Sequence, residues 1–306
     1  MVLLPGFKST KYAEKVAQYV GERLCGINIT PFNDGEIGVE ILDNLRGEKV
    51  FVIQQMYPDP NESWISTLLI GDACRRASCK ELVLIAPYMI YSRQDRKVKP
   101  RVPISARVMA DTLEVAGYDR VVTIDLHAGQ IQGFYKIPVD NLYSTPLLVD
   151  WIRNTYKSLD NITIVAPDAG GVERARAVAK KLDLNLAVAD KRRDRPNQVA
   201  HVNIIGDVTP ICIIVDDIID TGGTIVRIAE ALERRNVTQV VAYATHGVFS
   251  ANPNALMYID RLVITDTIPW HWPDITDRVT ILSTAKLIAD AIQIIAYGGS
   301  LSALFN

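Results

Sequence analysis

The sequence has few cysteines and no long apolar run, and each shortage argues against a class of protein. None of the four cysteines forms a CxxC pair, so we expect no zinc site and a reduced, cytoplasmic setting. The opening apolar run is too short for a signal peptide. No stretch reaches the length of about 18 apolar residues that predicts a membrane-spanning helix. A net charge of −2 gives no general basic field to hold nucleic acid or an anionic membrane.

The composition is that of an ordinary globular protein. Apolar residues make up 48% and charged residues 22% of the 306 positions. At roughly 150 residues per domain, this length predicts about two domains. A chain of this size can bury a large core without disulfides or a structural metal.

Runs rich in valine and isoleucine alternate with helical patterns along the chain. The runs lack polar alternation, which is typical of strands covered on both faces. They occupy 50–53, 82–86, 121–124, 162–165, 186–189, 211–215, 240–244 and 262–264. The helical patterns occupy 12–24, 105–116, 171–182 and 225–235, with Ser105 and Thr224 as predicted N-caps. This order predicts an α/β fold with mainly parallel sheets.

Segments of the two halves resemble one another. Ala86-Pro87 and Ala166-Pro167 each end an apolar run before a polar loop, and Asp125 and Asp216 each follow a buried run. Open α/β sheets bind ligands at the carboxyl ends of their strands. We therefore expect two similar domains, 1–143 and 144–306, with a boundary near Tyr143.

The segment 211–224 contains a turn suited to a phosphate. Gly222 and Gly223 carry no Cβ, so their backbone can approach an anion closely. Their N–H groups and the N-terminus of the following helix would point at it, and Thr221 and Thr224 add hydroxyl donors. The segment lacks the lysine of a Walker A loop. An ordinary strand–turn–helix corner is the alternative.

Two carboxylates, Asp216 and Asp217, precede this turn, and Asp220 is a third acid. Carboxylates accept hydrogen bonds from neighbouring sugar hydroxyls. A phosphate cradle beside two acids therefore predicts a sugar phosphate as the ligand.

The segment resembles the phosphoribosyl diphosphate-binding signature of type I phosphoribosyltransferase folds. Its Val-Asp-Asp-Ile-Ile-Asp-Thr-Gly-Gly-Thr form is similar to that of ribose-phosphate pyrophosphokinases. The resemblance implies two tandem type I phosphoribosyltransferase-like domains with mainly parallel central sheets. It also implies a ribose 5-phosphate site formed by Asp216, Asp217, Asp220, Thr221, Gly222, Gly223 and Thr224.

Enzymes that consume phosphoribosyl diphosphate share this loop, so other segments must identify the reaction. Residues 32–36 resemble the family's adenine-site motif, and 91–95 resemble the start of its flexible catalytic loop. On composition alone, the first is a turn and the second is a solvated charged loop. The resemblance implies ATP contacts by Phe32, Asp34, Glu36, Arg93, Gln94, Asp95 and His127, with 91–105 closing over ATP.

The longest match to the family covers 125–142 and includes His127. The resemblance implies that His127 and Asp168 bind Mg²⁺, and that Lys191 and Arg193 are the two catalytic cations. Lys136 stands where some relatives carry an acid, which puts any metal role there in doubt.

The implied reaction transfers the diphosphate of ATP to C1 of ribose 5-phosphate, giving phosphoribosyl diphosphate and AMP for nucleotide biosynthesis. The implied partners are these substrates, Mg²⁺ and further copies of the chain, assembled as hexamers built from dimers, without nucleic acid or membrane. Several relatives have serine where this chain has Asn44, and polar residues where it has Val98 and Pro100. Phosphate activation and ADP inhibition are therefore not assumed.

Two alternatives remain open at this point. A phosphoribosyltransferase would need a base-binding hood, and the Arg-Gln-Asp and Asp-Leu-His segments argue against it. A non-enzymatic regulatory subunit should have lost catalytic groups, and the presence of His127, Lys191 and Arg193 argues against that.

Overall fold

A computed structural model describes residues 1–192, 201–251, 253, 258–272 and 277–305. The chain divides into two compact units. The first comprises Met1–Tyr143, Thr267–Pro269 and Thr284–Asn306, and the second comprises Ser144–Asp266 and Trp270–Ser283. The sequence-based division placed all of 144–306 in the second domain, whereas the contacts group the last segment with the first unit.

The first unit contains a five-stranded parallel sheet in the order β1-β4-β5-β6-β7. Its strands are β1 Val2–Pro5, β4 Lys49–Ile53, β5 Glu81–Ile85, β6 Arg120–Ile124 and β7 Val139–Leu142. A separate antiparallel hairpin is formed by β2 Ile27–Pro31 and β3 Ile37–Ile41. The helices are α1 Thr10–Val20, α2 Pro60–Arg76, α3 Ser105–Val115 and α7 Ala285–Tyr297, with 3-10 helices at Gly129–Phe134 and Leu301–Leu304.

Helices α1 and α7 share one core with the sheet of the first unit. The buried residues of α1 recur at helical spacing, at Tyr12, Ala13, Val16, Ala17 and Val20. α7 buries a similar face, and the Tyr12 hydroxyl lies 2.6 Å from the Thr284 hydroxyl just before it. These contacts explain why the last helix belongs to the first unit.

The second unit contains a seven-stranded sheet in the order β10-β9-β8-β11-β12-β13-β14. All neighbours are parallel except β9 and β10. The strands are β8 Ile162–Ala166, β9 Asn185–Arg192, β10 His201–Ile205, β11 Ile211–Ile219, β12 Gln239–Gly247, β13 Arg261–Thr265 and β14 Val279–Leu282. Helices α4 Thr145–Thr155 and α5 Val172–Leu182 cover one face, and α6 Gly223–Glu233 covers the other. The predicted α/β class with mainly parallel sheets is confirmed.

Several predicted boundaries are wrong by a few residues. α1 ends at Val20 because Gly21 adopts a left-handed conformation with φ +80°, and Leu24 instead bridges Leu3. Ser105 is the first helical residue of α3, whose N-cap is Ile104. Thr224 lies inside α6, whose N-cap is Gly222.

All eight predicted strand runs fall in strands, with only Ala86 lying just beyond β5. The β2–β3 hairpin and strands β1, β7, β10 and β14 were not predicted from the sequence. Among the described residues, every helix is too short or too polar to span a membrane.

Candidate active site

Two carboxylates lie inside β11, shortly before the loop that leads to α6. β11 continues to Ile219, so Asp216 and Asp217 belong to its carboxyl-terminal part instead of following it. Asp216 pairs in register with Ala244 of β12. The acids are therefore fixed by the central strands of the sheet, at the edge where open α/β sheets bind ligands.

The turn that follows has the conformation its glycines favour. Gly222 has φ +74°, and its carbonyl accepts a hydrogen bond from Val226 N at 3.1 Å. A side chain at this position would be strained, because L residues rarely adopt positive φ. α6 starts at Gly223, so its first N–H groups open onto the loop. Thr221 is exposed and Thr224 is half-buried. The arrangement can bind an anion at a helix N-terminus.

Asp216 and Asp217 form a close, largely buried pair. Asp217 is 6% exposed, and its backbone N donates to Asp216 Oδ1 at 2.9 Å. Arg174 of α5 lies with Nη1 3.3 Å from Asp217 Oδ1 and 4.0 Å from Asp216 Oδ1. Burial and, after it, the Asp217 charge raise the pKa of Asp216 to about 7, although Arg174 opposes the rise. The site therefore holds two acceptors beside one cation.

The third acid of the loop, Asp220, is held from outside the loop. Both the backbone N and the hydroxyl of Ser250 donate to Asp220 Oδ1, the first at 3.1 Å. Ser250 follows β12, which is hydrogen-bonded to β11. A neighbouring strand end thus orients the carboxylate at the start of the phosphate turn.

Asp168 lies on an adjacent strand end of the same unit. It follows β8, is exposed, and accepts a hydrogen bond from Gly171 N at 3.1 Å through Oδ1. Because β8 is paired with β11, Asp168 and Asp216 lie at one edge of the sheet. The backbone of Lys191 is in β9, in register with Val202 of β10. The predicted catalytic Arg193 lies outside the described residues.

In the first unit, the 32–36 segment forms the tip of the β2–β3 hairpin. Phe32 N donates to Glu36 O at 2.7 Å, and Glu36 N donates to Asp34 Oδ1 at 3.0 Å. Gly35 adopts φ +91°, which completes the turn. Phe32 is 53% exposed, which leaves its ring available for stacking. A groove of about 450 Å³ lies beside the tip, lined by Gly35, Glu36, Ile37, Asn61, Glu62, Ile65 and Leu69.

The 91–105 loop follows β5 and is anchored at Gln94. Gln94 N donates to Tyr91 O at 2.9 Å, while Gln94 Oε1 accepts from the Ser105 hydroxyl at 2.6 Å. Gln94 O also accepts from Ala106 N at 3.2 Å, so the loop is fixed to the start of α3. Its exposed cations are Arg93, Arg96, Lys97, Lys99 and Arg101. Such cations can pair with triphosphate oxygens.

His127 follows the neighbouring strand β6 and is exposed. The preceding Asp125 is buried with φ +44°, and its N donates to Leu142 O at 2.8 Å. Gln130 Nε2 donates to Asp95 Oδ2 at 3.4 Å, which joins the turn after β6 to the loop after β5. The structure thus brings Arg93, Gln94, Asp95 and His127 to one sheet edge. Phe32, Asp34 and Glu36 lie on the separate β2–β3 hairpin, which packs against α2.

Comparison with known proteins identifies the family. Residues 1–117 match the N-terminal domain of ribose phosphate pyrophosphokinase, and residues 139–273 match the phosphoribosyl transferase domain. The chain is 44% identical to the ribose-phosphate pyrophosphokinase of Agrobacterium fabrum, with 100% of both chains covered. It is 44% identical to that of Vibrio parahaemolyticus, covering 100% of this chain and 99% of the relative. The chain belongs to the ribose-phosphate pyrophosphokinase family.

A solved structure agrees with this assignment. The crystal structure of phosphoribosylpyrophosphate synthetase from Mycobacterium smegmatis matches with a TM-score of 0.90 at 35% sequence identity. The match covers 97% of this chain and 99% of that chain. The predicted pyrophosphokinase family and the predicted tandem phosphoribosyltransferase-like fold are both confirmed.

Two residues that contact the candidate site were not predicted from the sequence. Arg174 contacts the acid pair from 43 residues away, and Ser250 contacts Asp220 from 30 residues away. Arg174 carries one local signal: a cation in the first turn of a helix is disfavoured by the helix dipole and so suggests an anionic partner. Ser250 carries none that we recognise.

Proposed function

We propose that this chain is a ribose-phosphate diphosphokinase, which transfers the diphosphate of ATP to C1 of ribose 5-phosphate. The products are 5-phosphoribosyl 1-diphosphate and AMP. The observation that carries the proposal is the full-length similarity of both units to ribose-phosphate pyrophosphokinases. A phosphoribosyltransferase would share only the second matched segment, whereas the N-terminal pyrophosphokinase domain is also present.

Ribose 5-phosphate binds, on this proposal, at the β11–α6 loop. The N–H groups of Gly222 and Gly223 and the hydroxyls of Thr221 and Thr224 receive the 5-phosphate. A helix N-terminus favours such an anion because its N–H groups and dipole both point towards it. The pair Asp216 and Asp217 accepts hydrogen bonds from the ribose hydroxyls, with Asp220 at the entrance to the turn.

ATP contacts, on this proposal, the residues of the first unit named above. The exposed ring of Phe32 can stack on the adenine base, while Asp34 and Glu36 can accept hydrogen bonds from donors on the nucleotide. Arg93 and the exposed cations after it can pair with phosphate oxygens. Gln94 and Asp95 hold the start of this loop through their hydrogen bonds to Ser105 and Gln130.

Lys191 and Arg193 are the proposed catalytic cations. The C1 hydroxyl attacks the β-phosphorus of ATP and AMP leaves. The attack brings an anionic sugar phosphate up to a triphosphate, so charge repulsion opposes it. Cations aimed at the transferred group lower this barrier by stabilising the charge that develops on it.

Mg²⁺ is the proposed metal. His127 is its proposed ligand in the first unit, and Asp168 is its proposed ligand in the second. Asp168 presents an exposed carboxylate, an oxygen ligand of the kind that Mg²⁺ prefers. The described residues contain no cluster of three or more histidine, cysteine or acidic ligands, which fits a metal bound mainly by phosphate and water. When bound, Mg²⁺ neutralises charge on the phosphates.

We also propose that the 91–105 loop closes over ATP and that the active form is a hexamer built from dimers.

One coupled assay tests the proposed function. Purified protein is supplied with ATP and Mg²⁺, and AMP release is measured with and without ribose 5-phosphate. We expect AMP to form only when the sugar phosphate is present, together with a 1-diphosphate product detectable by phosphorus NMR. Release of pyrophosphate from phosphoribosyl diphosphate and a free base, without ATP use, would instead identify a phosphoribosyltransferase.

A further inference from the structure

Arg174 lies where the pair Asp216 and Asp217 needs a counter-charge. It is the third residue of α5, and its Nη1 contacts the Oδ1 atoms of both acids, at 4.0 and 3.3 Å. Its side chain is 19% exposed, and those of Asp216 and Asp217 are 21% and 8% exposed. One guanidinium therefore links a helix on one face of the sheet to both carboxylates of β11.

The position of Arg174 is energetically unfavourable unless the carboxylates of β11 compensate for it. The positive end of the helix dipole lies at the first turn, so it repels a cation placed there. Partial burial adds a loss of hydration. On the same helix, Arg176 is exposed and avoids that loss. The two nearby carboxylates of β11 offset both costs for Arg174.

The carboxylates in turn need a cation. Two adjacent acids on one strand repel each other, and burial strengthens the repulsion because less water screens them. Their backbone positions are fixed by the β11–β12 ladder, so they cannot separate by moving the strand. A cation that reaches both can hold the two side chains in a fixed mutual orientation and reduce their repulsion.

We propose that Arg174 is a positioning residue that holds Asp216 and Asp217 as paired acceptors for two adjacent ribose hydroxyls. The inference rests on the proposed function, because it assigns ribose to this pair. Arg174 acts through the carboxylates and does not touch the transferred diphosphate. Its loss therefore weakens sugar binding and sugar discrimination more than it slows the chemical step.

The test compares Arg174→Met with Arg174→Lys, using Arg176→Met on the same helix as the matched control. We expect Arg174→Met to raise KM for ribose 5-phosphate about tenfold or more, as is usual for lost charge-assisted hydrogen bonding, with kcat changed less than about threefold. Arg174→Lys keeps the charge and should recover most of the affinity. Arg176→Met should match wild type in both constants.

A second substrate separates positioning from a merely structural role. Wild-type protein should prefer ribose 5-phosphate over 2-deoxyribose 5-phosphate by about tenfold or more in kcat/KM, because a buried charged acceptor loses its hydroxyl partner. In Arg174→Met this preference should shrink to within about threefold, since the acceptors are no longer held in place. A structural defect would lower both rates equally and leave the ratio unchanged.

Three results would overturn the inference: a KM for ribose 5-phosphate within twofold of wild type, an unchanged preference between the two sugars, or a loss confined to kcat. If Arg174→Met does not fold, Arg174→Gln keeps a polar side chain without the charge and carries the same expectations. If the wild-type protein releases no AMP, that result contradicts the proposed function and not the role of Arg174. The affinity for ribose 5-phosphate, measured by calorimetry on the same variants, then still tests the role of Arg174.

Discussion

Ser250 donates two hydrogen bonds to one oxygen of Asp220, from its backbone N at 3.1 Å and from its hydroxyl. Asp220 begins the turn that we assign to ribose 5-phosphate, whereas Ser250 follows the next strand of the sheet. The backbone bond does not depend on the side chain of residue 250, but the hydroxyl bond does. The pair therefore offers a way to loosen the loop by one hydrogen bond without replacing any residue that we assign to the substrate.

Ser250→Ala should raise KM for ribose 5-phosphate by about three- to tenfold while KM for ATP stays unchanged. The size follows from the loss of one hydrogen bond to a charged acceptor, about 1 kcal/mol where the backbone bond remains. Steady-state kinetics with each substrate varied in turn measures both constants. Ser158→Ala is the matched control, because the exposed Ser158 hydroxyl donates to Asp160 at 2.8 Å outside the site. Equal changes in the two variants would contradict an anchoring role.

The buried acid pair should make the unliganded protein less stable as the pH rises. Burial and then Asp217 raise the pKa of Asp216 from 3.8 to about 7 in the folded state. The folded protein therefore holds this proton more tightly than the unfolded chain does. The associated stability is present below about pH 4 and is lost as the pH rises through about 7.

Asp216→Asn should remove this dependence. Relative to wild type, its unfolding free energy should increase between about pH 4 and pH 7.5, by on the order of a few kcal/mol, and then level off. Urea unfolding of both proteins across this range measures the difference, with the exposed Asp207→Asn as the control. A difference that stays constant with pH would show that folding does not raise the pKa of Asp216.

The local chemistry of the sequence predicted much of the candidate site. A Thr-Gly-Gly-Thr turn after a buried run already dictates a tight strand-to-helix connection, and the structure places Gly222 at positive φ there. The contacts of Arg174 and Ser250 depend on which strands become neighbours, which local patterns do not specify. For the same reason, the sequence did not indicate that α7 packs against the first unit.

The hairpin that carries Phe32 shows a second limit. Its strands lie half-exposed, so they lack the continuous apolar runs that mark the central strands. Only its Asn-Asp-Gly turn was recognisable. The extension of β11 beyond Val215 was hidden for a different reason. Acidic residues usually mark the end of a buried strand, yet Asp216 and Asp217 lie within β11, and Asp216 pairs with Ala244.

The cysteines should be inert in the folded protein. Cys25, Cys74, Cys79 and Cys212 are buried. Burial raises the pKa of Cys25 to about 11 and those of Cys74 and Cys212 to about 12, and it also raises the pKa of Cys79. Since the thiolate is the reactive form, native protein at pH 8 should not react with Ellman's reagent on a timescale of minutes. All four thiols should titrate in denaturant, and rapid native reaction of any one would contradict its burial.

The 91–105 loop should be required for transfer but not for folding. Residues 96–99 are exposed, whereas the anchor at Gln94 lies before them. Deleting Arg96–Lys99 should therefore leave the thermal midpoint within a few degrees of wild type while transfer to ribose 5-phosphate falls by at least about tenfold. A full-length variant with Arg96, Lys97 and Lys99 all changed to serine separates the loss of charge from the loss of length. Normal transfer after the deletion would contradict a closing role.

Lys191→Ala should lower kcat by about 10² or more, with a smaller change in KM for ATP, by analogy with the loss of a single donor to a developing anion. The substitution should not disrupt the fold, because the backbone of Lys191 is held in register with Val202 across the β9–β10 pair. Lys180→Ala, at an exposed position on α5, is the matched control. Steady-state AMP formation separates kcat from KM, and circular dichroism verifies folding. A transition-state role requires kcat to fall while ATP binding persists. An unchanged turnover would show that Lys191 is not catalytic. A rise in KM alone would show that it contacts ATP in the ground state.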